Sequence, residues 1–205
     1  MRIAIGSDHG GFELKKKLAE HLRAKKEDVS DLGTFTKDAV DYPDIAAIVA
    51  LEVAKGNFAC GILIDGTGIG SAIAANKIKG IRAASCANTL MASSAREHGN
   101  ANILVIGAGV VGEALAKEIT DIFISRSFAG GRHAMRLEKI AKLENANLKE
   151  IERYTSPPKK LVTADDVRTA KMNGESVLYH QKGAIITAAA KDAAHDLDIR
   201  LVERT

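Results

Sequence analysis

Residues 60–76 run Cys60-Gly-Ile-Leu-Ile-Asp65-Gly-Thr-Gly-Ile-Gly70-Ser-Ala-Ile-Ala-Ala-Asn76, and their reading decides the fold. The apolar run Ile62 to Ile64 has the length and branching of a buried strand. A glycine-rich turn follows it, and the alanine-rich stretch from Ser71 predicts a helix ending near Lys79-Gly80. Gly66, Gly68 and Gly70 permit a sharp turn and let backbone N–H groups approach a ligand closely. Asp65 falls where the strand ends, the place where open α/β sheets put their chemistry. The turn is read as a site for a small anionic or oxygen-rich molecule.

Outward from this stretch, strand and helix patterns alternate. Before it come a strand over Ile3 to Ser7, a helix from Phe12 to Lys25, a strand over Val29 to Leu32 and a helix started by Pro43. After it come a strand over Ile81 to Cys86, a helix over Thr89 to Glu97, a strand over Asn102 to Ile106 and a helix from Gly112 to Ile124. Arg132 to Asn145 adds an amphipathic helix. This order predicts an α/β fold: a doubly wound, mostly parallel five-stranded sheet with helices on both faces and the site at the strands' C-terminal edge.

The domain is read as residues 1–150, a linker as 151–160 around Thr155-Ser156-Pro157-Pro158-Lys159-Lys160, and a small α+β extension as 161–205. In the extension, Thr163 or Asp165 caps a helix running to Asn173-Gly174. Ser176 to Tyr179 and Ala184 to Ile186 read as strands, Ala188 to Leu197 as a helix capped by Thr187, and Ile199 to Val202 as an edge strand. About 45 residues rarely build an independent core, so a docked or assembly role is expected.

Composition narrows the function. A formal charge of +3, 4% aromatic residues and no Trp argue against nucleic acid as a partner. No apolar stretch approaches the ~20 residues that cross a bilayer. The N-terminal Met-Arg-Ile-Ala-Ile-Gly enters a strand pattern with no signal peptide, and Cys60 and Cys86 have neither disulfide nor metal spacing. A cytoplasmic protein with reduced thiols is expected.

Several residues have both a chemical and a structural reading. Asp8 and His9, beside Gly10-Gly11 at the end of the first strand, suit sugar hydroxyl and phosphate recognition; Asp8 also suits a helix cap. Asp65 is open to three readings: a general base, a partner for substrate hydroxyls, or a turn residue binding its own backbone. Gly66-Thr-Gly-Ile-Gly lacks dinucleotide spacing, and no Walker-type lysine follows it. Arg132 and Arg136 lie one helical turn apart and suit a phosphate clamp or a solvated face. His98 ends a helix, where it also favours the helix terminus electrostatically, and Cys86 reads as a packing residue.

Taken together these patches resemble the B-type ribose-5-phosphate isomerases and the related galactose-6-phosphate isomerase subunits. The likeness covers residues 1–145 and rests on Ser7-Asp8-His9, Asp41-Tyr42-Pro43, residues 61–70 with Ile73-Ala-Ala-Asn-Lys77, Gly80-Ile-Arg-Ala83, His98 with Asn102, and Gly130-Gly-Arg-His-Ala-Met-Arg136. It implies interconversion of aldose and ketose phosphates through an enediolate, with no metal and no cofactor. Ribose 5-phosphate is the first candidate substrate. Galactose 6-phosphate, a tetrose phosphate, or a non-catalytic sugar-phosphate-binding subunit are the alternatives.

The resemblance gives catalysis to Asp65, Thr67 and His98, with His98 opening the sugar ring. It gives substrate binding to Asp8, His9, Tyr42, Gly66, Gly68, Gly70, Ser71 and Asn100, and the phosphate to Arg132 and Arg136. A homodimer or homotetramer with shared sites is also implied. The sequence departs from the family pattern in three places. Asp65 stands where many members have a cysteine base, Gly99 where an Asn usually follows the ring-opening His, and Ala108-Gly109 where an Arg is often found. In the extension, residues 162–167 and 183–190 are similar to short segments of bacterial microcompartment-associated proteins, which implies a targeting or assembly partner.

Overall fold

The computed structural model describes residues 1–148, 151 and 158–203. The chain divides into two compact units, Met1–Asn145 and Ala146–Thr205.

In the first unit β1 (Arg2–Ser7), β2 (Asp28–Asp31), β3 (Cys60–Asp65), β4 (Ala83–Ser85) and β5 (Ile103–Gly107) form one parallel sheet. Its order is β2-β1-β3-β5-β4. The helices are α1 (Phe12–Ala24), α2 (Tyr42–Ala54), α3 (Gly70–Ala75), α4 (Thr89–Glu97), α5 (Glu113–Ser125) and α6 (Arg132–Asn145).

The period-2 alternation of each strand splits the core in two. Ile3, Ile5, Ile62, Ile64, Leu104 and Ile106 join Leu14, Leu18 and Leu22 of α1, Ala92 of α4 and Ile119 and Phe123 of α5 on one face. Ala4, Leu63, Ile103 and Val105 join Val49, Ala50 and Val53 of α2 and Ala75 of α3 on the other. Central strands apolar on both sides need helices on both sides, which is what the sequence pattern predicts. Each large aliphatic side chain so buried contributes roughly 1.5–3 kcal/mol.

Most boundaries in this unit fall within one residue of expectation, and two differ by more. α3 stops at Ala75 because the Asn76 amide closes it, donating 2.9 Å bonds to the carbonyls of Ala72 and Ala83. β4 begins at Ala83 because the Arg82 N–H donates to the Asn102 side chain, 2.8 Å away, instead of to a neighbouring strand.

From β1 the chain turns outward to β2, and from β3 it turns the other way, so the switch point lies between β1 and β3. The register pairs Ser7 with Ile64, and the Asp8 N–H donates to the Ile64 carbonyl at 3.2 Å. Asp8 and Asp65 therefore leave the sheet side by side at its C-terminal edge.

The second unit alternates β6 (Lys159–Val162), α7 (Ala164–Met172), β7 (Val177–Ile186), α8 (Ala188–Asp196) and β8 (Arg200–Glu203). Its sheet is parallel, in the order β6-β7-β8, with β8 at one edge. Most of the stretch read as a linker lies outside the described residues, and its last two residues, Lys159 and Lys160, open β6 instead. Thr163 forms a reciprocal capping box with Asp166 at the start of α7, and Thr187 caps α8. The two strands expected over 176–186 are one. Gly183, at φ 73°, carries the chain through a register shift in the β6–β7 pairing without ending the strand. Val162, Leu178 and Ile199 pack with Val167, Ala170, Ala190 and Ala194 into one small core. Leu161 and its partner Ile185 lie outside that core, 50% and 69% exposed. No helix among the described residues is long and apolar enough to cross a membrane.

Candidate active site

The loop after β3 is organised around a single side chain. Asp65, 4% exposed, accepts the Thr67 N–H at 2.8 Å and the Gly68 N–H on one oxygen, and the Ser71 N–H at 2.8 Å on the other. The Ser71 hydroxyl, itself buried, also bonds this carboxylate. A carboxylate offers about four lone-pair positions. Backbone N–H groups take three of them and engage both oxygens, with the Ser71 hydroxyl beside them.

Burial pushes the Asp65 carboxyl up, but the Ser71 hydroxyl and the N–H groups of Ser71, Gly68 and Thr67 outweigh it and hold its pKa below the ordinary aspartate value. The group is a firmly ionised carboxylate bound by its own turn. Of the three readings open for Asp65, binding its own backbone is the arrangement present here.

The rest of the loop is held as tightly. The Ala108 and Gly109 N–H groups donate to the Asp65 and Gly66 carbonyls at 2.8 and 2.9 Å. Gly68 sits at φ 78°, and a Cβ on it would lie 2.8 Å from the Gly107 nitrogen and 3.0 Å from the Ser85 hydroxyl. The Tyr42 ring, at the start of α2, lies against Gly70, where a Cβ would meet it at 2.7 Å. Thr67 is exposed, and its hydroxyl accepts the Ile69 N–H at 3.4 Å.

From β1, Asp8 accepts the Gly11 N–H at 2.9 Å and closes the turn before α1. The N-cap of that helix is Gly11, with no side-chain cap, so Asp8 is not the helix cap its type also suited. A Cβ on Gly10 would lie 3.4 Å from the Asp8 carboxylate and 3.6 Å from the Gly66 nitrogen, so Asp8 borders the loop. His9 is exposed, and its Nδ1 accepts the Val40 N–H at 3.3 Å, which leaves Nε2 as the proton-bearing nitrogen of the neutral ring.

A second group lies across β4. Ser85, Cys86, Met91, His98, His133 and Arg136 line a cleft of about 610 Å³, within the range of small-molecule sites. Ser85, which faces Gly68, connects this cleft to the Asp65 loop. The His98 and His133 rings stack with centroids 4.2 Å apart, and the Ser94 hydroxyl is 3.2 Å from His98 Nδ1. His133 is 8% exposed. Burial, His98, Arg132 and Arg136 together lower its pKa, in that order of influence.

The structure thus brings Asp8, Tyr42, Asp65, Thr67 and Ser71 together around the loop, and His98 and Arg136 together in the cleft. Arg132 opens α6 one turn before Arg136, exposed. Asn100 stands at φ 43° beside His98, its carbonyl taken by the Arg82 guanidinium at 2.9 Å. Sequence reading did not single out His133 or Ser94. His133 was visible only as a member of the Gly130–Arg136 motif, and its partner lies 35 positions earlier in the sequence.

An open parallel sheet with a glycine-rich loop at its switch point, flanked by histidine and arginine, defines a small-molecule site. Residues 3–140 match the family model described as Ribose/Galactose Isomerase. The ribose-5-phosphate isomerase B of Escherichia coli is 46% identical over 143 residues, which cover 70% of this chain and 96% of the relative. A putative sugar phosphate isomerase of Bacillus subtilis is 44% identical over 149 residues, 72% of this chain and all of the relative. Among solved structures, the Mycoplasma genitalium ribose-5-phosphate isomerase B with bound ribulose-5-phosphate superposes with a TM-score of 0.69 at 42% identity, over 71% of this chain and 97% of that one. The Clostridium thermocellum ribose-5-phosphate isomerase B gives 0.70 at 50% identity, over 70% of this chain and 97% of that one. The chain belongs to the ribose/galactose isomerase family of sugar-phosphate isomerases. These relatives are matched over nearly their whole length, and about three-tenths of this chain is additional to them.

Proposed function

We propose that the protein interconverts ribose 5-phosphate and ribulose 5-phosphate, moving a proton between neighbouring carbons through an enediolate. One juxtaposition carries the reading: a buried carboxylate at a cradle of backbone N–H groups, next to a cleft holding a histidine and an arginine. It stands on a chain similar to an enzyme crystallised with ribulose-5-phosphate.

In this reading Asp65 is the proton carrier in place of the usual cysteine, and the N–H groups from Gly66 to Ser71 stabilise the developing oxyanion. Thr67 assists proton movement at that oxygen. His98, oriented by Ser94, opens the ring. Asp8, His9, Tyr42 and Asn100 hold sugar hydroxyls, while Arg132 and Arg136 clamp the phosphate through their planar donor forks. Leu90, Met91 and Ile140, exposed at the cleft, support a homodimer in which a second copy covers this surface. For residues 161–205 an assembly or targeting role is proposed, supported by the open, apolar Leu161–Ile185 sheet face. The cytoplasm is the compartment that fits this reading.

A coupled assay over phosphorylated tetroses, pentoses and hexoses tests it. Turnover best with ribose 5-phosphate is expected, and Asp65→Asn should lower kcat by about 10²- to 10⁴-fold. Full activity in that variant removes Asp65 from the chemistry. A second reading, a sugar-phosphate-binding subunit without turnover, draws on the bonds that hold both oxygens of Asp65. Calorimetric binding of ribose 5-phosphate with no turnover in the coupled assay would establish it.

A further inference from the structure

We infer that Asp65 occupies the oxygen-binding cradle of its own loop in the free protein and is released as a base when a substrate oxygen takes over those N–H donors. The inference rests on the isomerase reading of the site. Its basis is a count of bonds. To remove a carbon-bound proton, a carboxylate needs an oxygen free to face the substrate, and both Asp65 oxygens are held while Thr67 and Gly68 donate to one and Ser71 to the other. At least one donor must leave before the carboxylate can act.

The side chain moves more easily than the loop. The loop backbone is tied to β5 through the Ala108 and Gly109 N–H groups, and Gly107 lies so close that a Cβ there would meet the Thr67 carbonyl carbon at 2.4 Å. The donors therefore stay in place and the ligand among them changes. A substrate carbonyl is polarised by the same N–H groups and becomes an oxyanion in the transition state, a stronger competitor at the moment of reaction.

The step balances. The C–H bond next to the carbonyl breaks and its proton forms an O–H bond with the freed Asp65 oxygen. The electron pair flows into the carbonyl, giving the enediolate oxygen held by the loop. The hydroxyl proton on the carbon that lost its hydrogen passes to the enediolate oxygen, assisted by Thr67. The proton held by Asp65 then goes to the former carbonyl carbon, which leaves the new carbonyl on its neighbour and completes the exchange. Losing N–H donors also raises the carboxylate's proton affinity, so the base strengthens as substrate arrives. The influences on Asp65 are burial and neutral donors. Asp8 from the β1 edge and Tyr42 from α2 are the ionisable side chains that border the loop.

Two measurements test the exchange. The first is the pH dependence of the unmodified protein, since kcat/KM reports the free enzyme and kcat the substrate complex. The acid limb of kcat should lie at higher pH than that of kcat/KM; coincident limbs in an active enzyme would overturn the inference while leaving the isomerase reading intact. The second is calorimetric proton counting at about pH 5, near the carboxylate range, with a phosphorylated hydroxamic acid whose two oxygens copy the enediolate. The unmodified protein should take up more proton on binding than Asp65→Asn, and equal uptake would overturn the inference. Absence of turnover on every sugar phosphate, with the uptake difference present, would instead overturn the isomerase reading alone.

Discussion

His98 and His133 stack face to face with their ring planes 3° apart, one at the end of α4 and the other in the first turn of α6. Two imidazoles in this arrangement resist carrying positive charge together, and Arg132 and Arg136 add to the opposition. His133 therefore stays neutral where a free imidazole, with a pKa near ~6.5, begins to charge.

This has a consequence for stability. The folded protein protonates His133 at lower pH than the unfolded chain does, because its pKa is lowered. Stability is full above the free-imidazole range and is lost as pH falls through it, since the unfolded chain gains the proton first. Thermal melts taken about one unit above and below that range should show the decline. His133→Phe, which keeps a flat ring over His98, should flatten it; an unchanged pH dependence would remove His133 as the cause.

The proposed phosphate clamp, Arg132 and Arg136, gives a test that separates binding from chemistry. Arg136→Ala should reduce kcat/KM for a phosphorylated sugar by about 10- to 100-fold, the cost of hydrogen bonds to a charged group, mostly through KM. Arg136→Lys should recover part of the loss, because charge returns but the planar fork does not. Steady-state kinetics of both variants against ribose 5-phosphate provides the check, and equal losses in the two would favour a geometric over an electrostatic role.

Gly107 tests how rigid the Asp65 loop is. Its missing Cβ would lie 2.4 Å from the Thr67 carbonyl oxygen, so Gly107→Ala must push the loop away. The variant should lose roughly 1–3 kcal/mol in urea denaturation and most of its turnover. Gly112→Ala, where nothing lies within 4 Å, is the matched control and should be near wild type in both.

Lys15 offers a fourth test. Its side chain is fully buried, its Nζ 2.7 Å from Asp31 and bonded to the Thr34 carbonyl. It anchors the segment that continues to Val40, whose N–H fixes His9. Replacing it by Met keeps the packing but removes a buried charge from its partners, so Lys15→Met should cost on the order of 3 kcal/mol. Denaturant midpoints measure this, and KM for the sugar phosphate should rise as His9 loses its support.

Much of this architecture was legible beforehand because local signals agreed with it. α4 runs from Thr89 to Glu97 and α6 from Arg132 to Asn145, both over the residues their patterns foretold. What could not be read was anything decided between elements. β5 lies between β3 and β4, and an apolar run does not state its neighbours. The ring pair depends on α6 returning beside α4, across 35 residues. The Asp-Gly pair signalled a turn at Asp65, but the number of donors around the carboxylate depends on where Ser71 is placed by the start of α3.

In the proposed mechanism, the identity of the residue at position 65 also decides what can damage the enzyme. A thiolate there would be open to oxidation and alkylation, whereas a carboxylate is indifferent to both. The chain's two cysteines, Cys60 and Cys86, are buried, with burial pushing both thiols up to about 11. Iodoacetamide thus meets two buried thiols of raised pKa, and turnover should survive an alkylation that silences a thiol-dependent relative.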